Sequence, residues 1–385
     1  MRASKDRILT THVGALPTFP GLWSDAGMDE SRLAEAVAQI VAKQREVGVD
    51  IVNEGELTKG GNWVSFVNDR LGGFEPEPPG ATAALLMQSE DWSEFGDFYR
   101  AALAGGTLFE QTSSTGDQAR NLDWAARNPV TYVGQQVVQR EINAFKGALG
   151  GLSPGDAFLT STAPLSIEVG RKNCYYKTQE EYIYALAEAL RVEYEAIVDA
   201  GFLLQVDDAW LAALWDRIGI PMGVEGYRNY CRLRIEALNH ALRNIPEEKV
   251  RYHLCWGSWH GPHSRDMEMK NFVDLLLTVK AQTYLFEAAN ARHEHEFAVW
   301  QSVKLPDHKI LAPGVVSHAT PLIEHPELVA LRIERFARIV GRERVIASTD
   351  CGLGLRCHPQ IAWAKLKALS DGAALASKRL WAPAA

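Results

Sequence analysis

The sequence predicts one (β/α)8 barrel spanning residues 1–385, with an insertion at 57–155 between its second and third strands. Three observations carry this. Strand-like runs alternate with amphipathic helical runs eight times. Almost every strand-like run closes on an ionisable or metal-binding side chain. The 385 residues, 46% hydrophobic and 23% charged, hold apolar mass for one large core plus a long elaboration. In order, LTTHVG (9–14) reads as the first strand. The helix after it has Leu33, Val37, Ile40 and Val41 at helical spacing, Asp29 to cap its start and Gly48 past its end. VDIVNEGE (49–56) is the second strand. Within 57–155, SEDWSEFGDFYRAALAGG reads as helical, and VTYVGQQVVQREINAF as a hairpin or added strand pair. DAFLTSTAPLS (156–166) is the third strand, followed by a helix with Tyr182, Leu186, Leu190 and Ile197 on one side. FLLQVDD (202–208), the helical YRNYCRLRIEALNHALRN and RYHLCWG (251–257) come next. NFVDLLLTVKA is helical, QTYLFEAAN (282–290) and KILAPGVVSHA (309–319) are strands, and Pro326 opens the next helix. RVIASTDCG (344–352) is the last strand, and a closing helix runs from about Pro359.

Composition excludes several function classes. A formal net charge of −8 without a basic block gives no general attraction to nucleic acid or an anionic membrane. The opening MRASKDRILTTHVG has no apolar stretch of a secretory signal, and no run approaches the length of a membrane span. Five irregularly spaced cysteines argue against a disulfide framework and for a reducing, cytoplasmic setting. Dinucleotide, P-loop and nucleophile-elbow motifs are absent from the sequence. The expected partners are therefore small molecules, with a homo-oligomer the one macromolecular assembly left open.

In a barrel, the carboxyl ends of the strands line one mouth. The residues there are His12, Glu54, Glu56, Asp207, Asp208, His253, Cys255, Glu287, His318, Asp350 and Cys351. Residues i and i+2 of a strand share a face, so His253 and Cys255 project together. Imidazole and thiol on one face, with Cys351 from another strand end, suit a soft tetrahedral metal such as zinc. The HEHE run at 293–296 lacks the spacing that puts two histidines on one helical face, and is read as solvated.

The strand endings H-V-G (12–14), E-G-E (54–56), Q-V-D-D (205–208), H-x-C (253–255), F-E (286–287), S-H (317–318) and T-D-C-G-L (349–353) resemble, in order, the C-terminal catalytic barrel of cobalamin-independent methionine synthases. The resemblance runs from residue 9 to about 367 and includes short, single-barrel relatives and the epoxyalkane:coenzyme M transferases. It implies one Zn2+ bound by His253, Cys255, Glu287 and Cys351, with Glu287 the displaceable ligand. It also implies a substrate amino group held by Glu56 and Asp207 with His12 nearby, and His318 as the catalytic histidine. The activity implied is transfer of a methyl or alkyl group from a small donor to a small thiol made nucleophilic as a zinc thiolate, homocysteine in the methionine-synthase version. Epoxide opening by a coenzyme M-type thiol is the alternative. A zinc-free decarboxylase of the uroporphyrinogen type predicts an Arg-rich mouth, whereas only Arg292 and Arg356 lie near strand ends. A non-enzymatic binding barrel leaves the ordered His/Cys/Glu/Cys set unexplained.

Three departures bear on the substrates. Ala15 stands where the family has a serine, the third strand lacks the family's pterin-facing Trp, and the family's N-terminal half is not in this sequence. Trp256 and Trp259 are expected to offer aromatic walls instead. On this reading methyltetrahydrofolate is a poor donor, and a smaller or differently shaped one is better.

Overall fold

Seven of the eight strand-like runs pair in parallel, and the eighth closes the ring. The computed structural model describes residues 1–24, 27–59, 65–78, 80–108, 123–354 and 356–382. Its strands are β1 (Leu9–Thr10), β2 (Trp23–Ser24), β3 (Gly27–Met28), β4 (Leu71–Pro76), β5 (Trp124–Tyr132), β6 (Phe158–Thr162), β7 (Arg171–Asn173), β8 (Leu203–Asp208), β9 (Val250–Leu254), β10 (Thr283–Phe286), β11 (Ile310–Val316) and β12 (Ile346–Thr349). Its α-helices are α1 (Leu33–Glu46), α2 (Ala81–Met87), α3 (Glu90–Glu94), α4 (Gly96–Ala104), α5 (Gln135–Ala148), α6 (Pro164–Glu168), α7 (Gln179–Asp199), α8 (Ile220–Ala241), α9 (Val273–Leu276), α10 (Val299–Ser302), α11 (Pro326–Val340) and α12 (Pro359–Leu380). The large sheet runs β1-β12-β11-β10-β9-β8-β6. Between its two edges, Val52 forms a parallel bridge to Ala157, while the Asp50 and Ile51 amides donate to the Thr10 carbonyl at 3.1 and 3.0 Å. The second predicted strand is thus a short staple, because Gly55 (φ 81°) and Glu56 (φ 56°) turn the backbone left-handed just beyond it. The architecture is the (β/α)8 barrel.

Side-chain alternation sorts the core into two layers. Leu9, Val13, Ile51, Phe158, Leu203, Leu285, Ile310, Ala312 and Ile346 fill the barrel interior. A larger cluster packs between strands and helices, contributed by residues such as Tyr182, Leu186 and Leu190 of α7 and Ile333 and Phe336 of α11. Helix ends follow the sequence cues. Thr178 caps α7 through the Glu181 amide, and Pro164, Pro326 and Pro359 open their helices, where a missing N–H costs nothing.

Residues 57–155 differ from expectation in one part. The 89–106 stretch is helical as predicted, and β5 pairs antiparallel with β4. The QQVVQREINAF half is α5, not a strand, because Val138, Ile142 and Phe145 bury one helical face. Arg70 ties this segment to the barrel. It bridges Glu141 of α5 and Glu193 of α7 at 2.5 and 2.9 Å, and Glu193 also accepts from Tyr132 and from Ser161 of β6. At the other end of the chain, NFVDLLLTVKA shortens to a single α-turn after a 3-10 turn.

Gly314 on β11 lies opposite Ser348, and a Cβ there would meet Asp350 Oδ1 at 2.0 Å and the Asp350 backbone within 2.7 Å. Gly314→Ala should therefore destabilise the fold by about 1–3 kcal/mol or more through overpacking. Denaturant titration reads this directly, and an unchanged midpoint would refute the close approach.

Candidate active site

Strand register brings the site together. Asp207 and His253 are opposite partners in the parallel β8–β9 pair, so both side chains leave the same face at the carboxyl ends. Asp207 Oδ1 lies 3.0 Å from His253 Nδ1 and also accepts from Gln205 Nε2 at 2.8 Å. The other ring nitrogen, His253 Nε2, is buried without a hydrogen-bond partner among the described residues. His253, Cys255 and Cys351 place one ligand atom each within 4.8 Å of one another. This is an N, S, S donor set, with its imidazole held by a carboxylate through one nitrogen and the other left unpartnered. Such residues fit a soft metal ion.

Cys255 and Cys351 face each other, and each sulfur has further help. The Gly257 amide donates to Cys255 Sγ at 3.3 Å, and Ser258 Oγ lies 3.4 Å from Cys351 Sγ. The Cys255 thiol bonded to Cys351 pushes Cys351 well below the ordinary thiol range, and His318 and His253 act the same way. Cys255 is raised correspondingly, by its bond to Cys351 and by burial. One thiolate thus forms readily, the state in which cysteine ligates metal.

Glu287 stands beside this trio in a second group with His318 and Asp350. Its Oε2 accepts from Arg292 at 2.5 Å and Asn290 at 2.6 Å, and its Oε1 from the Trp256 amide at 3.3 Å. Burial would raise its pKa, but Arg292 and His318 hold it at about 2. Glu287 is therefore a charged carboxylate parked next to the sulfurs and gripped from behind. Asp350 caps the turn after β10, accepting from the Ala288 and Ala289 amides at 2.8 and 2.9 Å. Burial lowers His318 to about 4, so its ring is neutral, and its Nδ1 has no partner among the described residues.

Across the mouth, Glu56 sits on the left-handed turn and accepts from Thr160 at 2.9 Å, with Lys59 Nζ 4.0 Å away. Burial and the charge of Asp207 both raise its pKa, so the two carboxylates face one space. Gly14 makes room for it: a Cβ there would lie 2.2 Å from Glu56 Oε1. Two acids, with a lysine on one flank, thus lie close together on this side of the mouth.

Three expectations need correction, in whole or in part. His12 is not at the mouth. Arg251 donates to Thr11 Oγ1 at 2.9 Å and Val13 joins the interior cluster, so strand parity turns His12 outward, where Nε2 meets Gln44 of α1 at 2.8 Å. Trp256 is not a free aromatic wall, whereas Trp259 does line the cavity beside the site. Trp256 is fully buried against Phe272 and His293, with Nε1 donating to Met267 O. Trp259 is stacked on His263 at 4.0 Å and lies under the Arg217 guanidinium at 4.6 Å. Of the two rings, only Trp259 stands at that cavity, so the aromatic wall expected there is half present. Asn290, Arg292, Ser258 and the Lys59–Thr160 pair went unassigned, and only the i+3 spacing of Asn290 from Glu287 hints at its role. HEHE is solvated only in part: His295 is exposed, but His293 is buried, bonded to Asp266 and Glu296 at 3.2 and 2.9 Å.

The family pattern described as "Cobalamin-independent synthase, Catalytic domain" matches residues 171–374. The chain belongs to this family. It is 26% identical over 220 residues to a methionine synthase of Thermococcus kodakarensis, an alignment spanning 57% of each chain. With a methionine synthase of Sulfurisphaera tokodaii it shares 23% over 363 residues, covering 94% of this chain and 86% of the relative. In shape it is similar to a B12-independent methionine synthase from Shewanella sp. W3-18-1, solved in complex with selenomethionine (TM-score 0.69, 17% identity, 98% and 100% of the chains covered). That likeness speaks for the barrel alone. No helix among the described residues is long and apolar enough to cross a membrane.

Burial would lower the His293 pKa, but Asp266 and Glu296 raise it to about 9. A raised histidine stabilises the fold fully below its unfolded value near ~6.5, and the contribution disappears as pH climbs through about 9. Wild type should therefore lose more unfolding free energy between pH 6.5 and 9 than His293→Gln, by roughly 1–3 kcal/mol at ~1.4 kcal/mol per unit. Parallel pH–stability curves would contradict it.

Proposed function

We propose that the chain is a zinc-dependent thiol S-methyltransferase of the methionine-synthase type, with homocysteine as acceptor. The observation that carries this is the buried trio His253, Cys255 and Cys351, whose one unpaired ring nitrogen is aimed by Asp207, in a chain of this family. Glu287 is the fourth ligand, an oxygen donor weaker than the sulfurs and already held by Arg292 and Asn290. Zinc on such a set supplies one thing: it favours the deprotonated form of a substrate thiol at neutral pH.

The chain's own residues do the remainder. Glu56 and Asp207 hold the amino group of the acceptor, which sets its sulfur toward Cys255 and Cys351. Asp207 works on both sides, since the same carboxylate orients His253. His318, neutral through burial, has an unpaired Nδ1 beside Glu287 and the sulfurs, and it carries the proton. In the balanced reaction the S–H proton is lost and an S–CH3 bond forms. The donor's bond to methyl breaks, and the atom it leaves takes up a proton where its chemistry requires one. An acidic amino pocket disfavours coenzyme M-type thiols, which carry an anionic head and no ammonium, so epoxide opening is the weaker reading.

Protein prepared without added metal should contain one zinc per chain, and Cys255→Ala or Cys351→Ala should lose it. Cys231→Ala and Cys357→Ala should keep it, because Cys231 packs against the α8 core and the Cys357 sulfur faces the His318 carbonyl. Asp207→Asn should bind zinc about 10–100-fold more weakly, as expected when a histidine loses its orienting carboxylate, and methionine formation should fall further still. Metal analysis together with methionine formation from homocysteine, assayed with methyltetrahydrofolate and with methylcobalamin, checks this. Full zinc in both cysteine variants, or no methionine with either donor, would sink the proposal.

A further inference from the structure

The loop after β9 begins at the metal strand and passes Ser258, which touches Cys351 Sγ, before reaching His263 and Ser264. With Asn290, Arg292 and His318 it encloses a cavity of about 280 Å3 beside the site. Among the described residues no barrel strand hydrogen-bonds to His263 or Ser264 at the loop's far end. The segment between the second and third barrel strands does so. Asp91 of α3, buried at 2% exposure, accepts four hydrogen bonds: from the His263 amide at 3.1 Å, the Ser264 amide at 2.9 Å, Ser264 Oγ at 2.5 Å and Tyr99 OH at 2.5 Å. Three of the four come from the loop, and the fourth, Tyr99, passes the grip on by accepting from Trp259 Nε1 at 3.3 Å. Independent contacts repeat the attachment. The His260 amide donates to Leu108 O at 2.8 Å, and Arg265 pairs with Glu94 at 2.7 Å.

The clasp closes on the loop at a residue with left-handed backbone. His263 has φ 52°, a left-handed backbone that residues with a side chain occupy when neighbours enforce it. Its ring is fixed too, Nδ1 to Asp266 and Nε2 to the Trp259 carbonyl, both at 3.1 Å. Asp91 is itself anchored from a third direction, as Asp216 accepts from the Glu90 and Asp91 amides at the start of α3. A carboxylate filled by four donors and locked on both sides is built to hold shape.

We propose that Asp91 is a positioning residue for methyl transfer: it fixes residues 258–264 as the wall of the cavity beside His318, so that residues 89–108, between the second and third barrel strands, set which methyl donor fits. This rests on the thiol methyltransferase reading of the site. The near end of the wall, Ser258, touches Cys351 Sγ, whereas the clasp holds its far end at His263 and Ser264, so zinc and thiol binding are expected to change little when the clasp is cut.

The test compares zinc-loaded wild type, Asp91→Asn and Asp91→Ala as full chains. In Asp91→Ala, amide exchange at 260–264 should rise at least tenfold. The Michaelis constant for the donor (methyltetrahydrofolate or methylcobalamin, whichever wild type uses) should rise about tenfold, with that for homocysteine changing less than twofold and zinc staying at one per chain. Asp91→Asn, which keeps one acceptor oxygen, should fall between. Unchanged exchange overturns the proposal, as does an equal rise in both Michaelis constants or a loss confined to kcat. Wild type inactive with both donors refutes the methyltransferase reading, and the exchange rates then decide the clasp alone. If Asp91→Ala does not fold, Ser264→Ala carries the same expectation at about threefold, and an unchanged exchange rate there overturns the proposal equally.

Discussion

The contact between Asp207 and His253 is the constraint on which the site depends. Parallel register places the two residues side by side on β8 and β9, and their 3.0 Å contact decides which face of the imidazole is spent and which is left. Because Nδ1 is taken, Nε2 is the nitrogen left free, and on the proposed reading it is the one that meets the metal. Because the same carboxylate also faces Glu56, the proposed metal pole and amino-acid pole are tied through one side chain. A barrel suits such coupling, since adjacent strands are hydrogen-bonded along their length and their carboxyl ends move little relative to one another.

Around that contact the protein gathers more buried charge than burial alone would tolerate, and it compensates charge by charge. Glu287 stays ionised because Arg292 and Asn290 fill its outer oxygen. Arg251, fully buried below His253, donates to Thr11 Oγ1 and the His12 carbonyl and stacks 3.7 Å over Phe158. Removing one member of such a set costs several kcal/mol, roughly 3–5 for a buried pair, because the remaining charge is stranded. Glu54 is the contrast. Both its oxygens are buried without partners among the described residues, and burial lifts its pKa to about 8, so it sits as a neutral acid.

Much of this was legible in the sequence, and the physical reasons are specific. Period-two alternation in Y-H-L-C put His253 and Cys255 on one face, and the order of polar strand ends placed Glu56, Asp207, Glu287, His318 and Cys351 at one mouth. The same rule misplaced His12, because parity in a two-residue strand cannot be set without knowing which neighbour faces inward; Arg251, 240 residues away, decides it. Trp256 reads as a site residue by adjacency to Cys255, yet the face opposite a ligand is the face that packs. Within 57–155, hydrophobic spacing found the helices at 89–106 but not α5, where Val138, Ile142 and Phe145 mix β-branched and aromatic residues that also suit a strand. The clasp of Asp91 on His263 spans 172 residues and leaves no local trace.

The account stands on a metal held by one nitrogen and two sulfurs, with an oxygen that gives way to the substrate. X-ray absorption at the zinc edge measures that directly. The spectrum of the zinc protein should fit two sulfurs at about 2.3 Å and two lighter ligands, and added homocysteine should raise the count to three sulfurs with one light ligand lost. A first shell that already lacks sulfur, or one that stays at two sulfurs with saturating homocysteine, would contradict it.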